Sequence, residues 1–139
     1  MKIISTAAMA TLVFSMLMLG STESLSQDSC TGKSHHNIKV RPDDNGMPVL
    51  TYEGGSADEV HVCMGDTIKW VLTGNDRNYF KFFVDFMADA PFEGATRRGS
   101  NGTNITVTVG GPAEPGSSYK YDVEFEGGGI LDPRIVVDR

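Results

Sequence analysis

Three histidines are the residues of this chain best suited to chemistry. His35 and His36 are adjacent in a polar segment that we expect to be loose, and His61 follows later in the chain. Imidazole nitrogens bind copper and zinc, so these residues form a candidate metal site. The structural alternative stays open, because His61 alternates with Val60 and Val62 and is expected to face solvent or lie at a sheet edge.

The two cysteines of the chain, Cys30 and Cys63, are the second group of candidate functional residues. An even number of cysteines in a small exported domain is most simply explained by a disulfide. Metal-ligating or reactive thiols are the alternative, although neither cysteine belongs to a C-x-x-C pair. On the chain-entropy model the predicted disulfide stabilises the fold by about 3–4 kcal/mol.

Catalytic motifs are absent from the sequence, which has no G-x-S-x-G, H-E-x-x-H or phosphate-binding loop. The acidic segment 43–45 lacks the spacing of a calcium loop and is expected to be a turn. One face of a predicted strand carries three acidic residues, Asp122, Glu124 and Glu126. This row either pairs with a basic partner or is the solvent-exposed side of a sheet. We therefore predict a protein that is not an enzyme and has no catalytic residue and no cofactor.

The first 26 residues resemble a secretory signal peptide. A positive start at Lys2 precedes an apolar run over 3–19 and a small, polar segment over 20–26. An uncleaved anchor is the alternative, but the run is barely long enough to span a bilayer. We predict cleavage that leaves one domain over 27–139, periplasmic or secreted, with no membrane span. Asn101 and Asn104 begin glycosylation sequons, which matter only in a eukaryotic host.

The charge of the chain bears on its partners. The formal net charge is −6, so phosphate backbones are repelled and nucleic acid is not an expected partner. The partner is expected to be a protein or small molecule that the sequence does not identify.

The elements that must position these residues are short strands. Val60 to Leu72 is predicted to form strand, turn and strand around Gly65 and Asp66, with Trp70 in the core. Turn signals separate the strands, and 88–102 is predicted to be a long connection. The pattern predicts an all-β Greek-key β-sandwich of about seven to eight strands. The predicted strands cover 37–41, 47–52, 59–63, 67–73, 79–87, 103–109, 119–126 and 130–138.

Two segments resemble the cupredoxin family. V-H-V-C-M-G-D-T-I-K-W, over 60–70, resembles the cupredoxin pattern V-x-V-x-x-G-D-x-V-x-W. The segment 115–137 is similar to the last cupredoxin hairpin, in which G-x-Y-x-Y-x-C precedes a histidine, a methionine and a valine-rich strand. The resemblance implies a cupredoxin-like fold for the domain.

The resemblance also locates the positions that would hold type 1 copper. The segment 78–83 contains no histidine where the family has its first one, and Val123 matches the cysteine position. Residues 125–126 take the place of the second histidine, and Ile130 or Leu131 that of the axial methionine. The resemblance therefore implies the fold without the type 1 site. We expect an exported, non-catalytic binding or accessory module, the alternative being a periplasmic copper or zinc handling protein that uses the N-terminal histidines.

Overall fold

The computed structural model describes residues 30–32, 34–74, 81–87, 89–94, 97–99 and 104–139. The predicted signal peptide over 1–26 and the sequon residue Asn101 lie outside the described residues. Among the residues described, none forms a helix with the length and apolarity that crossing a membrane requires. The strands are β1 (His35–Pro42), β2 (Pro48–Tyr52), β3 (Gly55–Ser56), β4 (Glu59–Val62), β5 (Thr67–Leu72), β6 (Phe82–Asp85), β7 (Arg97–Gly99), β8 (Asn104–Thr108), β9 (Ser118–Lys120), β10 (Asp122–Phe125), β11 (Ile130–Leu131) and β12 (Arg134–Val137).

Three sheets form the architecture. The largest has the strand order β3-β2-β1-β5-β8, and within it β1 runs parallel to β5. The other two have the orders β11-β10-β6-β7 and β4-β12-β9. Buried residues from all three sheets form one hydrophobic core, so the predicted all-β sandwich is confirmed.

Trp70 lies at the centre of this core, as predicted. Alternate residues of β5 are buried because one face of the strand meets the opposite layer. Trp70 is 0% exposed, and its ring lies edge-on to the ring of Tyr121 with 5.6 Å between ring centres. Its Nε1–H donates to the Tyr121 hydroxyl over 3.3 Å. This contact joins the largest sheet to the chain segment that connects the two smaller sheets.

The predicted last hairpin is divided differently in the structure. Each of its long strands is split, so that β9 and β12 pair in one small sheet whereas β10 and β11 pair in the other. The chain changes sheet at Tyr121, whose N–H donates to the Pro133 carbonyl over 3.0 Å. Alternation of buried and exposed residues continues through the change, so the pattern indicated one strand where there are two.

Three further boundaries differ from the prediction. The segment 88–102, predicted to be a connection, contains β7, which pairs with β6. The two-residue strand β3 was not predicted, and β1 begins at His35 rather than at residue 37. Part of the strand predicted over 79–87 lies outside the described residues, and the described part contains β6. The two split strands together with β3 and β7 account for the difference between the eight predicted strands and the twelve in the described part of the chain.

Candidate functional site

Asp66 connects three parts of the chain at the turn between β4 and β5. Gly65 has a φ of 86°, which favours glycine and turns the chain into β5. The Asp66 side chain is nearly fully buried, and its Oδ1 accepts a hydrogen bond from the Ser34 N–H over 2.7 Å. Its Oδ2 accepts from the Cys63 N–H and from Nε2 of His36, each over 2.8 Å.

These contacts keep the Asp66 carboxylate charged. Burial by itself raises the pKa of Asp66, but the hydrogen bonds from Ser34, His36 and Cys63 together lower the pKa by more, so the net shift is downward. A charged carboxylate with several donors ties the entry of β1 to the turn before β5. We call Asp66, His36, Ser34 and Cys63 the Asp66 joint.

His36 was predicted to lie in a loose segment, and that prediction is wrong. It is the second residue of β1 and is 8% exposed, because it continues the inward positions of Ile38 and Val40. Its Nδ1 lies 2.8 Å from the Tyr52 hydroxyl, so both ring nitrogens have partners in the chain. The two-residue alternation that places Ile38 and Val40 inward is the sequence signal that identifies His36 as buried.

The structure does not bring the three histidines together. His35 is exposed on the opposite face of β1 from His36. His61 lies on the edge strand β4, where Nδ1 is 2.8 Å from Asp138 and Nε2 is 3.0 Å from Glu59. The pKa of His61 is raised by the hydrogen bond to Asp138 and then by that to Glu59. Over the described ranges, no three His, Cys, Asp or Glu side chains are grouped so as to hold a metal ion.

Cys30 and Cys63 form a disulfide, which confirms the predicted pairing. Their Cα atoms are 5.5 Å apart. The bond attaches the segment before β1 to the residue whose N–H already donates to Asp66. Covalent and polar contacts therefore hold the same joint.

Most of the described positions that match the copper ligands of the cupredoxin family hold apolar residues. Val123 is fully buried in β10 and is paired with Leu131 of β11, while Phe125 is 3% exposed. Glu126 is exposed, and the part of 78–83 before residue 81 lies outside the described residues. Val123 and Phe125 thus contribute to the core.

A neighbouring turn closes over the glycines that follow β10. The N–H of Gly129 donates to the Gly46 carbonyl over 3.3 Å. A Cβ on Gly128 would lie 2.9 Å from the same carbonyl oxygen, and a Cβ on Gly129 would collide with Sδ of Met47. Glycine is required at 128 because the Gly46 backbone approaches it closely, whereas a side chain at 129 would displace the flexible Met47 side chain.

One member of the predicted acidic row, Glu124, forms an ion pair within the chain. Glu124 and Asp85 both contact the guanidinium of Arg97, the latter over 2.9 Å. Asp122 lies opposite Asp85 across the strand pair, and its pKa is raised by burial and then by the charge of Asp132. Arg97, Asp85 and Glu124 thus form an ion-pair cluster on the surface of this sheet.

An open cavity lies between the described residues of 86–94 and the segment 112–120. We call it the β9 groove, and its volume is about 910 Å³. Buried Phe86, Ala90 and Phe92 are among its lining residues, whereas most of the others are exposed, so the cavity is an open groove with an aromatic base. The remaining lining residues are Met87, Asp89, Glu93, Gly94, Pro112, Glu114, Ser117, Ser118, Tyr119 and Lys120.

Met87 lines the groove in an unusual backbone conformation. Its φ is 58°, which is uncommon for a residue with a large side chain, and the Asp85 carboxylate accepts its N–H over 2.9 Å. The side chain is 63% exposed. Strained residues concentrate at functional sites, and methionine adapts to partner surfaces. The sequence does not reveal this site because most of the lining residues lie outside the strands that were predicted over 79–87 and 119–126.

The charge of the groove is negative. Asp89, Glu93 and Glu114 bring three carboxylates to its lining, and within the described part of the chain their side chains form no ion pair. Lys120 is the basic lining residue, and its ammonium is 3.1 Å from the Asp132 carboxylate. The groove therefore presents uncompensated negative charge beside aromatic surface.

Comparison with known proteins finds similarity in fold. No protein-family model and no curated protein matches the chain. An amicyanin variant is 17% identical over 73% of this chain and 82% of its own, with a TM-score of 0.43. A rusticyanin variant is 13% identical over 82% and 84%, with a TM-score of 0.46. A chain from the human ephrin A2–ephrin A1 complex is 11% identical over 78% and 100%, with a TM-score of 0.46.

These likenesses carry no argument about activity or ligand. The sheets and the shared core confirm the β-sandwich independently of them. The cupredoxin-like fold stays a prediction from the two sequence segments that resemble that family.

Proposed function

We propose that this chain is a small exported β-sandwich that acts by binding and not by catalysis, and that the β9 groove is its binding site. The observation that carries the proposal is the groove itself, whose size is that of ligand sites and whose lining combines aromatic surface with carboxylates. The strained and exposed Met87 supports the same assignment.

Export is the second part of the proposal. The Cys30–Cys63 disulfide supports it, because such bonds persist in oxidising compartments. The signal peptide predicted over 1–26 and the mature domain predicted over 27–139 support a periplasmic or secreted location. The mass of the mature protein recovered from the producing cells tests this part, and a mass that retains residues 1–26 would contradict it.

The Tyr52–His36–Asp66 contacts follow the order of a nucleophile, a base and an orienting acid. An activated nucleophile requires a lowered pKa or a free general base. The pKa of Tyr52 is instead raised, by burial first and then by its hydrogen bond to Glu53. The arrangement therefore favours a structural role for these residues.

Site-specific photo-crosslinking tests the binding site. A photoreactive amino acid at Ser118 in the groove is compared with one at exposed Asp44, in the turn between β1 and β2. In the producing cells we expect discrete adducts from the Ser118 position and none from the Asp44 position. Equal adducts from both positions, or none from Ser118, would contradict the assignment of the groove.

Copper or zinc handling is the second proposal. His35 supports it, because it is exposed and, among the described residues, its imidazole has no hydrogen-bond partner. His36 and His61 use both ring nitrogens within the chain, so they contribute less to this function than the sequence suggested. Metal analysis after dialysis against Cu(II) or Zn(II) tests it.

A further inference from the structure

The β9 groove runs along an unpaired edge of a sheet. β9 is the last strand in the order β4-β12-β9, and among the described strands it pairs only with β12. Four consecutive residues, 117–120, line the groove. Because consecutive strand residues point to opposite faces, a groove lined by all four lies along the edge of the strand and not across one face.

The backbone of β9 has hydrogen-bonding groups directed toward this edge. The N–H of Val137 donates to the Ser117 carbonyl over 2.9 Å, and the N–H of Tyr121 donates to the Pro133 carbonyl over 3.0 Å. In an antiparallel pair, alternate residues bond to the same neighbour, so residues 117, 119 and 121 face β12. The N–H and C=O groups of Ser118 and Lys120 therefore point away from β12 and toward the groove.

The charge of the groove indicates which side chains an added strand would carry. Asp89, Glu93 and Glu114 are exposed carboxylates of the lining, and Lys120 is held by Asp132. Arg98 lines a separate, smaller cavity, where it lies over Phe92 and donates to the Glu93 carbonyl, so its charge is near the groove but not part of its lining. Basic side chains are complementary to this surface.

We propose that the β9 groove binds an extended, basic segment of a partner protein, which adds to β9 as a further antiparallel or parallel strand. Backbone hydrogen bonds to Ser118 and Lys120 supply register, and the carboxylates select cationic side chains. The open shape of the groove suits a chain segment better than an enclosed small molecule. This inference rests on the proposed function, because it names the partner of the same site.

Synthetic peptides test the inference on the full mature protein. The probe is a peptide of about eight residues in which arginine and threonine alternate, with fluorescence anisotropy as the readout. Its matched controls replace every arginine by glutamate or methylate alternate backbone nitrogens. We expect the basic peptide to bind, the glutamate peptide not to bind, and backbone methylation to weaken binding by about tenfold or more. Affinity should also fall as salt increases.

Matched variants of the protein separate local from overall charge. The groove variant carries Asp89→Asn, Glu93→Gln and Glu114→Gln, whereas the control carries Asp44→Asn, Asp58→Asn and Glu126→Gln, all exposed positions outside the groove. Each variant loses three negative charges, one for each of its three substitutions. We expect about tenfold weaker peptide binding in the groove variant and an unchanged affinity in the control.

NMR shift mapping distinguishes the two ways of failing. If the glutamate or a neutral peptide maps to 86–94 and 112–120 as well as the basic peptide does, the groove is a binding site but the basic partner is wrong. If methylation has no effect while the basic peptide binds, strand addition is wrong. If no peptide maps there and the Ser118 crosslinker gives no adduct, the proposed function fails together with this inference.

Discussion

The imidazole of His36 donates its Nε2–H to the carboxylate of Asp66 over 2.8 Å, across 30 residues of sequence. The contact is buried and holds β1 against the turn that begins β5. Because β1 is the central strand of the largest sheet and β5 is its parallel neighbour, this polar contact stabilises the end of the sheet at which both strands start.

Replacing Asp66 should destabilise the protein. In Asp66→Asn one side-chain oxygen becomes an NH₂ group, which cannot accept the hydrogen bonds donated by Cys63 and His36. We expect the free energy of unfolding in urea to fall by about 2–4 kcal/mol. Asp44→Asn at an exposed turn is the control, with a change within about 0.5 kcal/mol. Equal stability of the two variants would show that the joint contributes nothing.

Acid should remove the same contribution. The folded pKa of Asp66 lies below its ordinary value of 3.8, so its charge stabilises the fold fully above that value. The contribution is lost as the pH falls through the folded pKa. The stability difference between the parent protein and Asp66→Asn should therefore be constant near neutral pH and shrink below about pH 4. A difference that grows with acid would contradict the lowered pKa.

Trp70 should be among the most sensitive core positions. It is 0% exposed and hydrogen-bonded to Tyr121. Trp70→Ala should therefore lower the free energy of unfolding by about 3–5 kcal/mol, as measured by urea unfolding monitored by circular dichroism. Tyr121→Phe leaves the Trp70 N–H without an acceptor and should cost about 1–3 kcal/mol. A loss below about 1 kcal/mol for Trp70→Ala would be that of a surface change.

The disulfide should be detectable chemically. Native protein should contain no alkylatable thiol, and reductant should raise its mass by about 2 Da as two hydrogens are added. The double variant Cys30→Ala, Cys63→Ala should lose about 3–4 kcal/mol of stability. Two thiols that react in the native, unreduced protein would refute the bond.

Added Cu(II) should produce no intense absorption near 600 nm, roughly where copper–thiolate sites absorb. Val123 stands at the matching cysteine position, and both cysteines are already bonded to each other. Weak copper binding should be lost in His35→Ala and kept in Asn37→Ala, which alters another exposed residue of β1. His36→Ala is unsuitable, because it also breaks the Asp66 joint. An intense band would restore a type 1 site.

Sequence alternation predicted the fold well wherever one strand face meets the core. Ile105 and Val107 in β8 illustrate this, since both are buried between exposed or half-buried neighbours. The change of sheet at Tyr121 could not be predicted in the same way. Tyr121 is buried, as the alternation of inward and outward side chains requires. The chain therefore changes sheet at this residue with no change in the side-chain pattern that the sequence shows.

The candidate sites were harder to predict because they depend on contacts between distant residues. The Gly65–Asp66 pair predicts a turn, but the donor from Ser34 lies 32 residues away in sequence. Most residues that line the β9 groove lie outside the predicted strands, where no alternation of buried and exposed residues marks them. β9 itself has only three residues, too few for a pattern to mark its ends.

The division of the last hairpin couples the stability of the two smaller sheets. One continuous segment contributes β9 and β12 to one sheet and β10 and β11 to the other. The backbone hydrogen bond between Tyr121 and Pro133 lies where the segment passes from sheet to sheet. Opening either sheet should therefore break the contacts that this segment makes in the other sheet. The amide hydrogens of both sheets should then exchange with solvent in a single cooperative event.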